Sequence, residues 1–448
     1  MNVRLVSYSN RDPLSLIFLA ARTCYCSRVP KKIRHLDIEH QLFDTGHHTP
    51  LEHFFLTFAI EDIPIGDVTF GLHLAHPFYN TDQRSGRFSA EMFWHPQFNT
   101  VRSYISNYWP MVIEDIKEEI MDYLRKEMSI FQNNHHQITG SAIYFLKQER
   151  PFISSENLEK NASKIAQEQL RMFIPIIFPT GLIHTIDLIT LASLYQTAWS
   201  PGMREVTRQM AEIVVTQFPD LSFIFPKRKK QYSDWTPRLL DNKKVIVTEP
   251  SLKLFNMEEL EEPTFPSPEM IGPLDLLPFS PRFMNNNLIR IITEIEVSLA
   301  TMGQDQRHRG IYRGTPNFTG NFYLPPLLQE AEMYQTAKET MEEWFNFRNK
   351  IPATLWILLA PYGAMVRYKK IGHLNAVIHE QNKRLCWLAQ EEIYQISYTL
   401  RKEIEKTSHH KYLQLLEPPC FAGKCPESNR YCGRDLQNLD KDLSRKII

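Results

Sequence analysis

RMFIPIIFPTGLIH, residues 171–184, is an apolar run that ends in a Pro/Gly turn and feeds a long helix-forming stretch. LWILLAPYGAMV (355–366) repeats that arrangement about 186 residues later. A repeat this long and this divergent indicates a duplicated unit rather than a solenoid of short modules. The order of elements upstream also recurs. FFLTFAIED (54–62) alternates apolar and polar residues and reads as a strand. LIRIITEIEVSLAT (288–301) mixes strand-like alternation with helical spacing.

Working outward, helices are predicted over 14–27, 36–45, 111–133, 155–173 and 184–217, the last interrupted near Ser200-Pro201-Gly202. In the second half, helices are predicted over 328–348 and 369–406, with a polar loop over 303–322. Between the halves the composition changes. Lys227-Arg228-Lys229-Lys230 is followed by seven prolines between Pro250 and Pro281. Proline lacks an N–H and clashes inside helices, so this stretch holds no long helix or central strand. The expected layout is a first unit over 1–226, a connection over 227–281, a second unit over 282–410 and a Cys-containing tail over 411–448.

The chain has 448 residues, 51 basic and 51 acidic, so no global charge draws it to nucleic acid or to an anionic membrane. A local basic pocket stays open as an option. No apolar run reaches the roughly 18–20 residues of a spanning helix, and the first residues lack the order of a signal peptide. Six cysteines in this length make no disulfide framework. The expectation is a soluble, reducing, cytoplasmic protein with no membrane or nucleic-acid partner.

Three loops carry chemistry. QDQRHRG (304–310) sets two arginines around a histidine, and guanidinium forks grip phosphates bidentately; a solvated basic loop is the plainer alternative. GHHTPLEHFF (46–55) offers histidines without the HExxH spacing of a zinc protease, as does His379-Glu380. No metal site is therefore assigned there. QRSGRFS (83–89) offers a hydroxyl, an open backbone N–H and a guanidinium within three residues, a set suited to a phosphate monoester. In the tail, Cys420, Cys425 and Cys432 follow no standard zinc spacing, and free thiols or a metal both remain open. Cys386 is read as core packing.

GHHTPLEH, a strand, then SGRFS resembles the flavin-dependent thymidylate synthases, as does ARTCYCS (21–27). That family's pattern is Arg-His-Arg, a loop, Ser-Gly-Arg, an R-x-x-L-P turn, and a helix arginine five residues before Ala-Gln-x-Glu-Ile. Each half resembles it in part. The first half keeps Ser85-Gly86-Arg87 and Arg171 but reads Ala75-His76-Pro77 at the triplet. The second keeps Gln304, Arg307-His308-Arg309 and Arg384, five before Ala389, but has Asn317-Phe318-Thr319 at the phosphate loop.

The resemblance implies an α+β fold of two homologous units, each an antiparallel sheet with long helices, forming an internal pseudo-dimer. Two chains would then make a homodimer equivalent to the family's four-unit assembly. It implies reductive methylation of dUMP to dTMP with FAD, NADPH and methylenetetrahydrofolate, at one complete site per chain between the halves; the mirrored site is expected to be dead. Arg384 is the implied catalytic residue. Gln83, Ser85, Gly86, Arg87, Arg171, Gln304, Arg307 and Arg384 are implied for dUMP. His53, Arg307, His308, Arg309, His373, Asn375 and His379 are implied for FAD. The alternatives are an inactive nucleotide-binding descendant and a flavin-dependent methyltransferase on another uracil substrate.

Overall fold

The computed structural model describes residues 1–31, 36–73, 79–87, 89, 91–226, 236–240, 245–258, 281–422, 425–427, 431–435, 443, 445 and 448. Two antiparallel sheets organise it. The first is built from β1 (Asn2–Tyr8), β2 (Phe55–Pro64), β3 (Tyr79–Gln83) and β4 (Pro179–Asp187), in the order β1-β2-β4-β3. The second uses β5 (Ser251–Glu258), β6 (Arg290–Ser298), β7 (Ile311–Arg313), β8 (Asn317–Phe322) and β9 (Ala364–His373). Its order is β5-β6-β9-β7, with β8 also paired to β9. Both sheets thus start with an edge strand on a second strand, which pairs a later central strand.

The helices used below are α1 (Pro13–Thr23), α2 (Glu114–Glu149), α3 (Ser155–Leu170), α4 (Leu188–Thr197), α5 (Pro201–Gln217), α6 (Leu299–Asp305), α7 (Tyr334–Asn346), α8 (Leu374–Arg384) and α9 (Glu391–Glu405). Side-chain caps set several of their starts. Asp187 accepts from Thr190 N at 2.9 Å, Ser200 from Met203 N at 3.0 Å and Ser298 from Thr301 N at 3.1 Å. Each cap satisfies an N–H that the first turn leaves without an intrahelical partner.

These caps correct the helix boundaries. Residues 184–217 and 369–406 do not begin as helices. Each begins inside the central strand of its sheet and turns helical only after Asp187 or His373. β9 alternates buried and exposed residues, a period of two that a helical reading passes over. Residues 303–322 hold the end of α6 and the strands β7 and β8, not only a loop. β5 lies within the 227–281 stretch and joins the second sheet as an edge strand, the position Pro-rich flanks permit. Residues 227–230 and 259–280 lie outside the described residues.

The repeated apolar segments meet each other. Pro175 and Pro361 form an antiparallel bridge. Ile176 N donates to Ala360 O at 2.9 Å, Tyr362 N to Ile174 O at 3.0 Å and Gly363 N to Met172 O at 2.7 Å. A single apolar core runs across this seam, joining Phe58, Phe173 and Leu191 with Phe322, Trp344 and Leu358. The tail is no free appendage. Ile448 is buried in that core, and Leu443 packs on Tyr394 and Leu385.

Candidate active site

α6 and the turn after it carry the second half's share of the site, and a buried charge cluster fixes that turn. Asp305 is almost fully buried and takes ion pairs from Lys370 and Arg313, with a hydrogen bond from Tyr368 at 2.9 Å. Lys370 also pairs with Glu380 at 2.9 Å, tying β9 to α8. Burial alone would raise the Asp305 carboxyl, but the Arg313 and Lys370 cations hold it well below the usual carboxylate range. Glu392 locks the start of α6, accepting from Ser298 N and Thr301 Oγ1, both at 2.6 Å.

Gln304 meets the first half. Its amide donates to Gln390 Oε1, and its own Oε1 accepts from Arg87 Nη1 at 3.5 Å. Arg87 also donates to Leu388 O at 2.9 Å and pairs through Nε with buried Glu168. Arg171 donates to the same Gln390 Oε1 at 2.7 Å, and its guanidinium lies 5.5 Å from the Tyr362 ring. It also backs Gly86, where a Cβ would come 3.6 Å from Arg171 Nη1 and 3.3 Å from Phe93. Arg309 crosses the other way, donating to Asn80 Oδ1 and, at 3.2 Å, to Thr81 O on β3. Arg87, Arg171 and Gln304 are therefore brought together from both halves, whereas Arg309 is held at β3 and is not among the residues that line the cleft.

Arg384, at the end of α8, points into the same place. Its Nε–H donates to His308 Nε2 at 2.9 Å and its Nη2 to Gln304 O at 2.7 Å. Burial, with Arg87 and Arg307 nearby, brings its pKa down to about 10, so it is a cation at neutral pH. His308 is pushed well below the ordinary histidine value, first by burial and then by Arg384. The His379 ring meets it edge to face at 5.8 Å.

A cleft of about 900 Å³ opens on these groups. That is at the large end of small-molecule sites. Arg87 and Arg384 both line it, with Arg307, His308, His379, Lys160, Lys164 and Lys383. Arg307 N donates to Gln304 O at 3.3 Å, and among the described residues its guanidinium has no ion-pair or hydrogen-bond partner. A chain with no net charge thus carries a local basic pocket, one that composition alone left open. Ser85, Gly86, Arg171, Gln304 and Gln390 sit one layer behind the lining. Ser85 Oγ accepts from Arg87 N at 3.3 Å, and Gln167 donates to Gly86 O at 2.7 Å, so the loop is braced from inside.

Other expected residues are placed differently. Asn375 is fully buried, donates to Phe283 O at 3.2 Å and accepts from Asn286 at 3.1 Å. It lies against Phe283 and Asn286 in the second half and is not among the residues that line the cleft. His373 Nδ1 accepts from Ala376 N at 3.3 Å as the cap of α8, and the ring is absent from the cleft lining. His53 is exposed at a helix end, and Gln83, half-buried at the end of β3, is likewise outside the lining. Residues 75–77, where the first half lacks the arginines, lie outside the described residues.

Sequence reading missed Glu168, Asp305 and Gln390 as parts of the site. Gln390 stood in plain view inside Ala-Gln-x-Glu-Ile, which served only as a landmark for Arg384. The tail was missed as a wall. Pro418, Cys420, Cys425, Tyr431, Cys432 and Arg434 line the cleft. Arg434 lies 4.6 Å from the Trp387 ring, and Arg445 donates to Ala389 O at 2.9 Å, bracing the turn that Arg87 touches. Among the described residues all six cysteines are free and no group of three His, Cys, Asp or Glu is placed to hold a metal ion. No helix among them is long and apolar enough to cross a membrane.

Residues 4–220 match the family model described as thymidylate synthase complementing protein. Two solved structures of a flavin-dependent thymidylate synthase from Helicobacter pylori, both with FAD and dUMP, are similar at 15% identity and a TM-score of 0.32. One likeness covers 51% of this chain and 100% of the other, the second 50% and 98%. Likenesses this weak add nothing to the fold or the chemistry. No curated protein matches the chain.

Proposed function

We propose that the chain is a flavin-dependent thymidylate synthase whose two halves are duplicated units sharing one site. In this reading it methylates dUMP reductively, with methylenetetrahydrofolate as carbon donor and NADPH as reductant. The observation that carries it is the shared contact on Gln304. Arg87 of the first half and Arg384 of the second both bond to that residue and face one cleft. The antiparallel meeting of Pro175 with Pro361 supports a two-fold relation between the units.

The donor set fits an anionic nucleotide. Among the described residues Arg171 Nε and Gln390 Nε2 are buried donors without an acceptor, beside the Gly86 loop and Gln304. Arg87, Arg307 and Arg384 line the cleft itself and present the cationic donors that an anion would meet. Arg87 and Arg307 would hold the phosphate, with Ser85 and Arg171 bracing the loop behind. Arg307, His308 and His379 would hold FAD, which when bound supplies the hydride. Asn375 is not among these.

Arg384 has Nη1 left over after Nε and Nη2 are engaged. A fixed guanidinium at the uracil edge stabilises negative charge as it develops there, and its orientation is set before the substrate arrives. Lysine has no planar fork to divide between His308, Gln304 and a base. The cysteines are not needed as nucleophiles. Burial pushes the Cys386 thiol up, away from the reactive thiolate.

Tritium release from dUMP labelled at C5 tests the reading. Arg384→Ala is expected to lose turnover mainly through kcat, and Arg87→Ala mainly through weaker dUMP binding. Unchanged turnover in both variants would overturn the assignment.

A further inference from the structure

His308 stands at the centre of the site, and its hydrogen bond has a direction. A guanidinium Nε only donates, so His308 Nε2 is the acceptor at 2.9 Å. The ring proton therefore sits on Nδ1, and the imidazole is neutral. Every element packed around it bears on that state. Arg384 and His379 face it from α8, Lys370 from β9, Arg313 from β7 and Asp305 from α6. Three of these five are cations, and Asp305 is already engaged by Lys370 and Arg313. The backbone is held as well, since Arg313 Nη1 donates to His308 O at 3.2 Å.

We propose that His308 is a positioning residue whose neutral Nε2 aims the Arg384 guanidinium, rather than a group reserved for the cofactor. Arg384 is gripped at two points, Nε by His308 and Nη2 by Gln304 O, so the plane of its fork is fixed. A proton on His308 Nε2 replaces an acceptor by a donor beside a cation. The guanidinium is then released, and the site loses its aim while all residues remain present. The inference deepens the proposed function and rests on it for the kinetic arm only.

Two measurements test it on the full-length protein. Nitrogen-15 NMR of histidine-labelled protein is expected to show one ring with a protonated Nδ1 and a bare Nε2. That state should persist below the ordinary histidine midpoint of about 6.5 and vanish in His308→Gln. The Arg384 Nε–H signal should shift in His308→Ala. In turnover of dUMP, His308→Ala should lower kcat about 10- to 100-fold, the scale of one hydrogen bond to a charged group, with KM for dUMP within about 3-fold. His308→Gln keeps an acceptor oxygen, so it should recover most of kcat and lose the acidic limb of the pH profile. An Nε2-protonated ring, or an unchanged kcat and Arg384 signal in His308→Ala, overturns the proposal. If the wild-type chain turns over no dUMP, the functional reading falls, and the two NMR signals still decide this one.

Discussion

The turn after β6 and the turn after β2 end in opposite chemistries. After β6, Gln304, Arg307 and His308 meet Arg87 and Arg384 around an open cleft. After β2, Phe70 is buried, with its ring 5.9 Å from Trp199 and 6.0 Å from Phe318. Phe318 in turn lies 5.2 Å from Trp344, and Trp344 stacks on Trp356 at 4.4 Å. The helix caps differ in the same sense. Gln390, before α9, holds Arg171, whereas Ser200, before α5, bonds to Asp67, which also accepts from Tyr104 at 2.6 Å. A Cβ on Gly202 would lie 1.9 Å from Tyr104 Oη, so that side is closed to any added group. The contrast teaches how one interface holds both a site and its support. Cations converge on the cleft, and aromatic rings fill the corresponding place after β2.

The largest expected break in this contrast is at the aromatic side. Phe318→Ala should cost about 3–5 kcal/mol of stability in denaturant unfolding, the scale of a large-to-small change in a packed core. The folded fraction should bind dUMP as the parent does. A lost affinity at full folding would mean that the two sides are not separate in function.

Next comes a pH effect between α2 and α7. Among the described residues Thr340 Oγ1 is the one hydrogen-bond donor to the buried Glu127 carboxyl, at 2.9 Å, and burial pushes its pKa up from 4.5 to about 8. The folded chain holds this proton more tightly than the unfolded one. Its stabilisation is therefore full below about 4.5 and is lost as pH rises through about 8. Glu127→Gln, neutral throughout, should match the parent near pH 5 and exceed it by about 1–3 kcal/mol at pH 8. Equal stability at both pH values would show that the carboxyl is not buried. The smallest effect is expected at the cleft rim, where Lys160 is exposed. Lys160→Ala should weaken dUMP binding less than about 3-fold, with that loss fading at high salt.

Much of the site was legible because its residue types have few bland uses in such company. Arg87, Arg171, Gln304 and Arg384 were named from sequence, and the structure gathers them from both halves. The repeated apolar segments were legible too, and Pro175 meets Pro361 at the seam. Other parts left no local mark. Asp187 and His373 end a strand and cap a helix at once, and neither residue by itself signals the change of period. Asn375 has the right chemistry for a ligand, but its position on α8 faces it inward to Phe283 and Asn286. Lys370 is buried on a strand because Asp305 and Glu380, 65 and 10 residues away, meet it there. Gln390 looks like any helix-cap residue until its two partners from opposite halves are in place.

Calorimetric titration of the purified chain with dUMP, in the presence of FAD, addresses the shared site directly. The account predicts one dUMP bound per chain, with binding weakened both by Arg87→Ala in the first half and by Arg307→Ala in the second. Two nucleotides per chain, or binding indifferent to either substitution, would contradict it.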